Sequence, residues 1–407
     1  MKILAFIAPA LASTFLASCA LAAPPNASCS IQRLDGTHIS CASAEAFARQ
    51  TLTAQHVTGA QIVVMDQGRL VWSTAIGLRR KEPPLPMDRE TTTWAASITK
   101  SVFSTYVMQL VERGEFSLDA PVVQLLPHPL DTYEPYKDKA KDLLADPRWA
   151  KVTPRMLLSH SSGLQNFAEI EPDKKMHLHF DPGTNFLYSG EGINLVQFVI
   201  EQMKGKPLDH LMQDAIFTPL NMKRTGIIYR SDFADDVADR YDLNEVFRSQ
   251  TKRYPSRGAG SMTTSAEDLA RFLSALFGNK LVKPTTRAEM WKPVLQLRSL
   301  HEFPLKQSEE QGTEAATVGL AYGVGWGLLT KTPFGPAVFK EGHGDGAQNY
   351  VICFERRQTC MILLTNSDNG ELAFRPLLEQ ILGDTVTPWE WEGYTPEYIE
   401  ASRKQSQ

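Results

Sequence analysis

From Ile98 the apolar positions Ile98, Val102, Tyr106, Val107, Leu110 and Val111 recur at helical period until Gly114, which predicts a buried helix stopped by a glycine. Ser97 falls in its first turn. Upstream, Ser43 is a candidate N-cap for a helix over 44–55, and the runs 61–65 and 70–73 read as strands around the turn Asp66-Gln67-Gly68. A loop rich in proline and charge (79–89) follows. Between about 91 and 300 the pattern is helix and loop with sparse strand signals. Strands return over 322–328, 337–339, 350–353 and 360–364, joined by short turns into an antiparallel meander, before a last helix near 371–382. The economical architecture is α+β. An antiparallel sheet drawn from both chain ends (about 43–90 and 317–385) is flanked by helices, and a mostly helical lobe (about 91–316) is set against it. The tail 386–407 carries Trp389, Trp391, Tyr394 and Tyr398 and is expected to pack down.

Composition narrows the picture. The chain has 407 residues, 43% hydrophobic and 22% charged, with a net charge of -4. It has no basic run of the kind a nucleic-acid partner requires. Lys2, the apolar run 3–17 and the small residues ending at Ala22 read as a signal peptide over 1–22, so a periplasmic or secreted location is expected. Leu16-Ala17-Ser18-Cys19 resembles a lipoprotein box, and only lipidation of Cys19 would make the membrane a partner. The other four of the five cysteines fall into two local pairs across turns, Cys29 with Cys41 and Cys353 with Cys360, as suits disulfides in an oxidising compartment.

The candidate chemistry lies at Ser97 and Lys100, which a helix stacks on one face. A serine hydroxyl needs an adjacent base, and a lysine serves only once its proton has been driven off. Lowering its pKa from ~10.4 to about 7 or 8 takes roughly 4 kcal/mol, which desolvation on an apolar face can provide. The helix N-terminus adds partial positive charge beside Ser97. The same spacing recurs at Ser249 and Lys252, in a polar, basic segment with no apolar face to dehydrate a lysine. Environment therefore selects Ser97. His177 and His179 lack accompanying ligands at metal-binding spacing and read as loop residues.

Several segments in register resemble the serine β-lactamase, DD-peptidase and esterase superfamily, most of all its class C β-lactamase-like branch, over about residues 43–385. They are Ser97-Ile98-Thr99-Lys100, Leu110-Val111-Glu112-Arg113-Gly114, Leu118-Asp119-Ala120-Pro121, Leu157-Leu158-Ser159-His160-Ser161-Ser162-Gly163-Leu164, Gly258-Ala259-Gly260-Ser261 with 267–272, and Tyr322-Gly323-Val324-Gly325-Trp326. The resemblance implies that Tyr188 shuttles protons with Lys100, and a phenol beside an ammonium is expected to shift toward phenolate. Gly190 stands where the family has an asparagine that binds a substrate amide. The family's third motif fits Phe339-Lys340-Glu341-Gly342-His343-Gly344-Asp345-Gly346 in two registers, with Lys340 or His343 as its cationic residue. His343 is preferred, since Tyr350 then takes the downstream aromatic position and the Gly346 N–H joins that of Ser97 in an oxyanion hole. His160 is expected to order a helix end.

The resulting expectation is an exported serine hydrolase acting through an acyl-enzyme on a small ester, amide or peptide, with esterase favoured and no metal or organic cofactor implied. The alternatives are a β-lactamase or D-amino-acid peptidase, and a penicillin-recognising binding or sensor module that acylates without turnover.

Overall fold

The computed structural model describes residues 29–234, 236–303 and 312–405; the expected signal peptide and Cys19 lie outside them. Nine antiparallel strands form the main sheet: β1 (Gly59–Asp66), β2 (Arg69–Arg80), β3 (Leu85–Pro86), β4 (Leu295–Gln296), β5 (Leu320–Tyr322), β6 (Gly327–Leu329), β7 (Ala337–Gly344), β8 (Ala347–Phe354) and β9 (Thr359–Thr365). Their order is β4-β5-β6-β7-β8-β9-β1-β2-β3, so the two chain ends meet at the β9–β1 seam. Alternation sends Val63, Met65, Val351 and Ile362 to one face and Ile62, Val64, Ile352 and Met361 to the other. Both faces are covered. Helices α1 (Cys41–Ala54) and α5 (Glu371–Leu377) lie on one side, and α2 (Ile98–Glu112) and α4 (Ala266–Phe277) on the other, with α3 (Gly190–Lys204) sharing the core of α2.

Local chemistry explains the boundaries. Helix α1 begins ahead of the expected Ser43 cap because the Ser40 hydroxyl accepts the Ser43 N–H. The Cys29–Cys41 disulfide then ties its first residue to the N-terminal hairpin, and Cys353 lies directly opposite Cys360, bonded across β8 and β9. Both expected cysteine pairs are thus present. The single strand expected over 322–328 is instead two, β5 and β6, because the chain turns at Gly323–Trp326. Gly325, at φ +75°, packs there so closely on Ser104 of α2 that a Cβ would lie 2.0 Å from the hydroxyl oxygen.

Helix α2 is the central pillar of the second lobe. Ile98, Val102, Phe103, Val107 and Leu110 are each 1% exposed or less, and such burial contributes about 1.5–3 kcal/mol per side chain. Its entry is clamped by a two-residue strand, Thr93–Trp94, paired with Thr263–Thr264, and by the Ala95 N–H donating to the Met262 carbonyl at 2.9 Å. The aromatic tail joins the core, with Trp389, Trp391 and Tyr394 packed on the α5 side of the sheet.

Candidate active site

Ser97 sits at the N-terminal cap of α2, yet its side chain makes no capping bond. The preceding residue, Ala96, is held at φ +45°, a left-handed conformation that costs a non-glycine residue about 1–2 kcal/mol. The N–H groups of Ile98, Thr99 and Lys100 go to the carbonyls of Ala95, Ala96 and Ser97, and the tight turn lifts the serine hydroxyl into a cleft. Lys100, 2% exposed, hydrogen-bonds Ser97 Oγ at 2.8 Å and donates to the Ala259 carbonyl at 2.6 Å. Desolvation, reinforced by the Lys340 ammonium, lowers its pKa to about 7.

Tyr188 lies on the other side of Lys100, whose Nζ is 4.8 Å from the ring centroid, and its hydroxyl interacts with that of Ser97. Here the expectation of an easily formed phenolate fails. The hydroxyl donates to Glu341 Oε1 at 2.9 Å, and burial together with the Glu341 carboxylate pushes the phenol well above its usual range. His160 stacks on Tyr188 at 4.3 Å, and its Nδ1 accepts the Ser189 N–H at 3.1 Å. Burial and the Lys340 and Lys100 charges keep that imidazole neutral. His160 thus orders the turn that carries Tyr188.

The strand beside the nucleophile corrects the preferred register of the third motif. Gly344 pairs with Ala347, so Asp345-Gly346 is the two-residue tip of the β7–β8 hairpin, and the Gly346 N–H donates to the Asp368 carboxylate rather than facing Ser97. His343 lines the cleft as expected but does not take the inner position: its side chain is 60% exposed and Nδ1 lies 2.6 Å from Glu371. Desolvation opposes the imidazolium there, but Glu371 overrides it and raises the pKa to about 9. Lys340 takes the inner position, fully buried, 4.7 Å from the Tyr188 ring and paired with Glu341. Gly342 completes that register, since a Cβ there would come within 2.5 Å of the Ala95 carbonyl. Beyond Phe339, the last β7 residue paired with β6, residues 340–344 present an edge that no strand among the described residues pairs.

Gly190 caps a further difference. Its N–H donates to Asn166 Oδ1 at 2.8 Å, and a Cβ would meet the Phe167 ring at 2.7 Å. Asn166 and Phe167, rather than Gly190, line the cleft, so a side-chain amide reaches the site from a neighbouring loop. The cleft encloses about 1050 Å³. Arg248, Arg253 and Arg257 line it, the Arg253 guanidinium 4.2 Å from the Trp94 ring, and so do the acidic residues Glu341 and Glu392. The second Ser-x-x-Lys copy is not such a site, because Ser249 Oγ accepts from Arg240 while Lys252 lies over the Tyr229 ring. His177 and His179 pair separately with Asp173 and Glu171.

Residues 44–383 match the family described as Beta-lactamase. The chain belongs to the Beta-lactamase family. Among curated relatives it is 28% identical to esterase EstB of Burkholderia gladioli over 314 residues, covering 63% of this chain and 76% of that one. It is 21% identical to penicillin-binding protein 4* of Bacillus subtilis, covering 82% and 74%. Its fold matches that of the octameric penicillin-binding protein homologue from Pyrococcus abyssi at a TM-score of 0.68 and 22% identity, over 87% of this chain and 79% of that one. Like its Beta-lactamase-family relatives, it is a serine hydrolase.

Proposed function

We propose that the protein is an exported serine esterase that works through an acyl-enzyme on Ser97. Neutral Lys100 takes the Ser97 proton across the 2.8 Å contact as Oγ attacks the ester carbonyl. The oxyanion forms between the Ser97 N–H and that edge of β7. On that strand Gly344 flanks a two-residue turn, so its bonds and those of Gly342 point to β8, and the His343 N–H points into the cleft. When the intermediate collapses, the proton held on Lys100 passes to the leaving alkoxide, directly or by way of the Tyr188 hydroxyl. Water then hydrolyses the acyl-enzyme with the roles reversed. The two disulfides suit an oxidising compartment.

The observation that carries the ester reading is Glu341. Its buried carboxylate lies beside Tyr188, repels the carboxylates that β-lactams and peptide C-termini carry, and keeps Tyr188 a weak acid. Esters, whose leaving groups need little protonation, suffer least. The resemblance to esterase EstB points the same way. Steady-state kinetics on 4-nitrophenyl butyrate and a chromogenic cephalosporin test the assignment: kcat/KM should be higher for the ester, and the reverse order would restore β-lactamase as the primary activity.

A further inference from the structure

Three carboxylates, Glu302, Glu341 and Glu392, bring oxygens within 4.8 Å of one another while being only 2%, 1% and 3% exposed. Glu341 Oε1 is occupied by Lys340 and the Tyr188 hydroxyl, and Glu392 Oε1 accepts the Tyr350 hydroxyl at 2.9 Å. Both oxygens of Glu302 and the Oε2 atoms of Glu341 and Glu392 have no hydrogen-bond partner among the described residues. A separate group faces the same place: the hydroxyl of Tyr322, a fully buried residue, is also unpartnered and feels the charge of all three carboxylates. Burial and the neighbouring acids push the Glu302 and Glu392 carboxyls well above their usual range, so they hold protons until a cation pairs with them, and Lys340 supplies one ammonium for three acids.

Glu341 and Glu392 form part of the wall of the cleft that holds Ser97. A single phenol oxygen, that of Tyr188, separates Glu341 from the nucleophile. We propose that Glu302, Glu341 and Glu392 form a cation subsite for a primary ammonium group that the substrate carries within a few bonds of its scissile carbonyl. A primary ammonium has three donors, one for each carboxylate. A quaternary ammonium would leave the oxygens bare, and a guanidinium's planar fork suits two oxygens of one carboxylate better than a tripod. The same cation would cancel part of the negative field that holds the proton on Tyr188, so the substrate that fits would also free the hydroxyl to work. This inference rests on the reading of Ser97 as an acylating nucleophile, and it takes an amine on either side of the ester bond.

Two matched pairs test it by pH-stat, with the enzyme-free rate subtracted: ethyl alaninate (each enantiomer) against ethyl propionate, and 2-aminoethyl propionate against propyl propionate. In the wild-type enzyme one pair should favour the amine by roughly ten- to a hundredfold in kcat/KM, as a charged buried hydrogen-bond set implies, and that pair identifies which side carries the amine. The ratio should fall toward one in Glu302→Gln and Glu392→Gln; being taken within each protein, it cancels general loss of activity. Ratios near one in the wild type, with the neutral esters hydrolysed, would overturn the subsite and leave the esterase reading standing. If no ester is turned over, the esterase reading fails and thermal shift of the wild type decides the subsite: protection by ethylammonium chloride beyond that by sodium or tetraethylammonium chloride supports it. Absence of that protection, or protection by calcium or magnesium chloride instead, overturns it.

Discussion

Removing the Lys340 charge should move the pH at which Ser97 becomes reactive. The Nζ atoms of Lys100 and Lys340 lie 4.8 and 4.7 Å from the same ring centroid, so at most about 9.5 Å separates them. At an effective dielectric of ~20 their repulsion is at least roughly 1.7 kcal/mol, or about 1.3 pH units. Lys100 is depressed first by desolvation and then by Lys340, while Glu341 acts in the opposite sense and more weakly. Lys340→Met therefore loses a depressing charge and leaves Glu341 to raise Lys100 further. The double variant Lys340→Met/Glu341→Gln, which avoids stranding a buried carboxylate, loses both and still moves upward by less. The assay is the rate of Ser97 labelling by a fluorophosphonate as a function of pH, which reports the free enzyme's base. The wild type should gain reactivity through an apparent pKa near the value of about 7 set by its surroundings. Both variants should shift that limb to higher pH, Lys340→Met by a unit or more. A limb that stays in place, or moves down, would refute the assignment of Lys100 as the base.

Gly342→Ala should lower kcat/KM by roughly a hundredfold without unfolding the protein, because its methyl would meet the Ala95 carbonyl at 2.5 Å and displace the serine turn; full activity with an unchanged circular dichroism spectrum would count against the register given to β7. Gly190→Asn should impair every substrate alike, since its side chain collides with Phe167, whereas Asn166→Ala should weaken amide-bearing substrates more than simple esters; the opposite pattern in a substrate panel would return the amide-binding role to position 190. Reducing the Cys353–Cys360 bond, which closes a short loop with a sequence separation of 7, should lower unfolding free energy by ~2 kcal/mol, read by urea denaturation of Cys353→Ala/Cys360→Ala against the wild type.

The parts of this molecule that repeat were legible in its residues. The period of α2, the apolar runs of β1, β8 and β9 and the start of β7, and the turn flanked by Cys353 and Cys360 all follow from local pattern, and the α2 period places Ser97 and Lys100 together. What pattern does not carry is depth and edge. Lys340 and His343 differ by three residues in one glycine-rich strand, and only the position of the hairpin tip, with Gly342 pressed on Ala95, decides which of them reaches Tyr188. The two-residue strands at Thr93–Trp94 and Thr263–Thr264 are too short to show a period. Glu302, Glu341 and Glu392 are far apart in the chain, so their convergence has no sequence signature, and with it goes the reversal of the expected effect on Tyr188. Asn166 has no sequence signal of its own, because the register that leaves glycine at 190 does not tell which loop stands beside it in space.

In this mechanism Ser97 alone is acylated, activated by Lys100. Incubating the wild type, Ser97→Ala, Ser249→Ala and Lys100→Met with a fluorophosphonate probe and mapping the adduct by peptide mass spectrometry tests it most directly. Ser97 should carry the label in the wild type and in Ser249→Ala, Lys100→Met should label far more slowly near neutral pH, and Ser97→Ala should carry none. Labelling that persists in Ser97→Ala, or that Lys100→Met leaves undiminished, would rule this mechanism out.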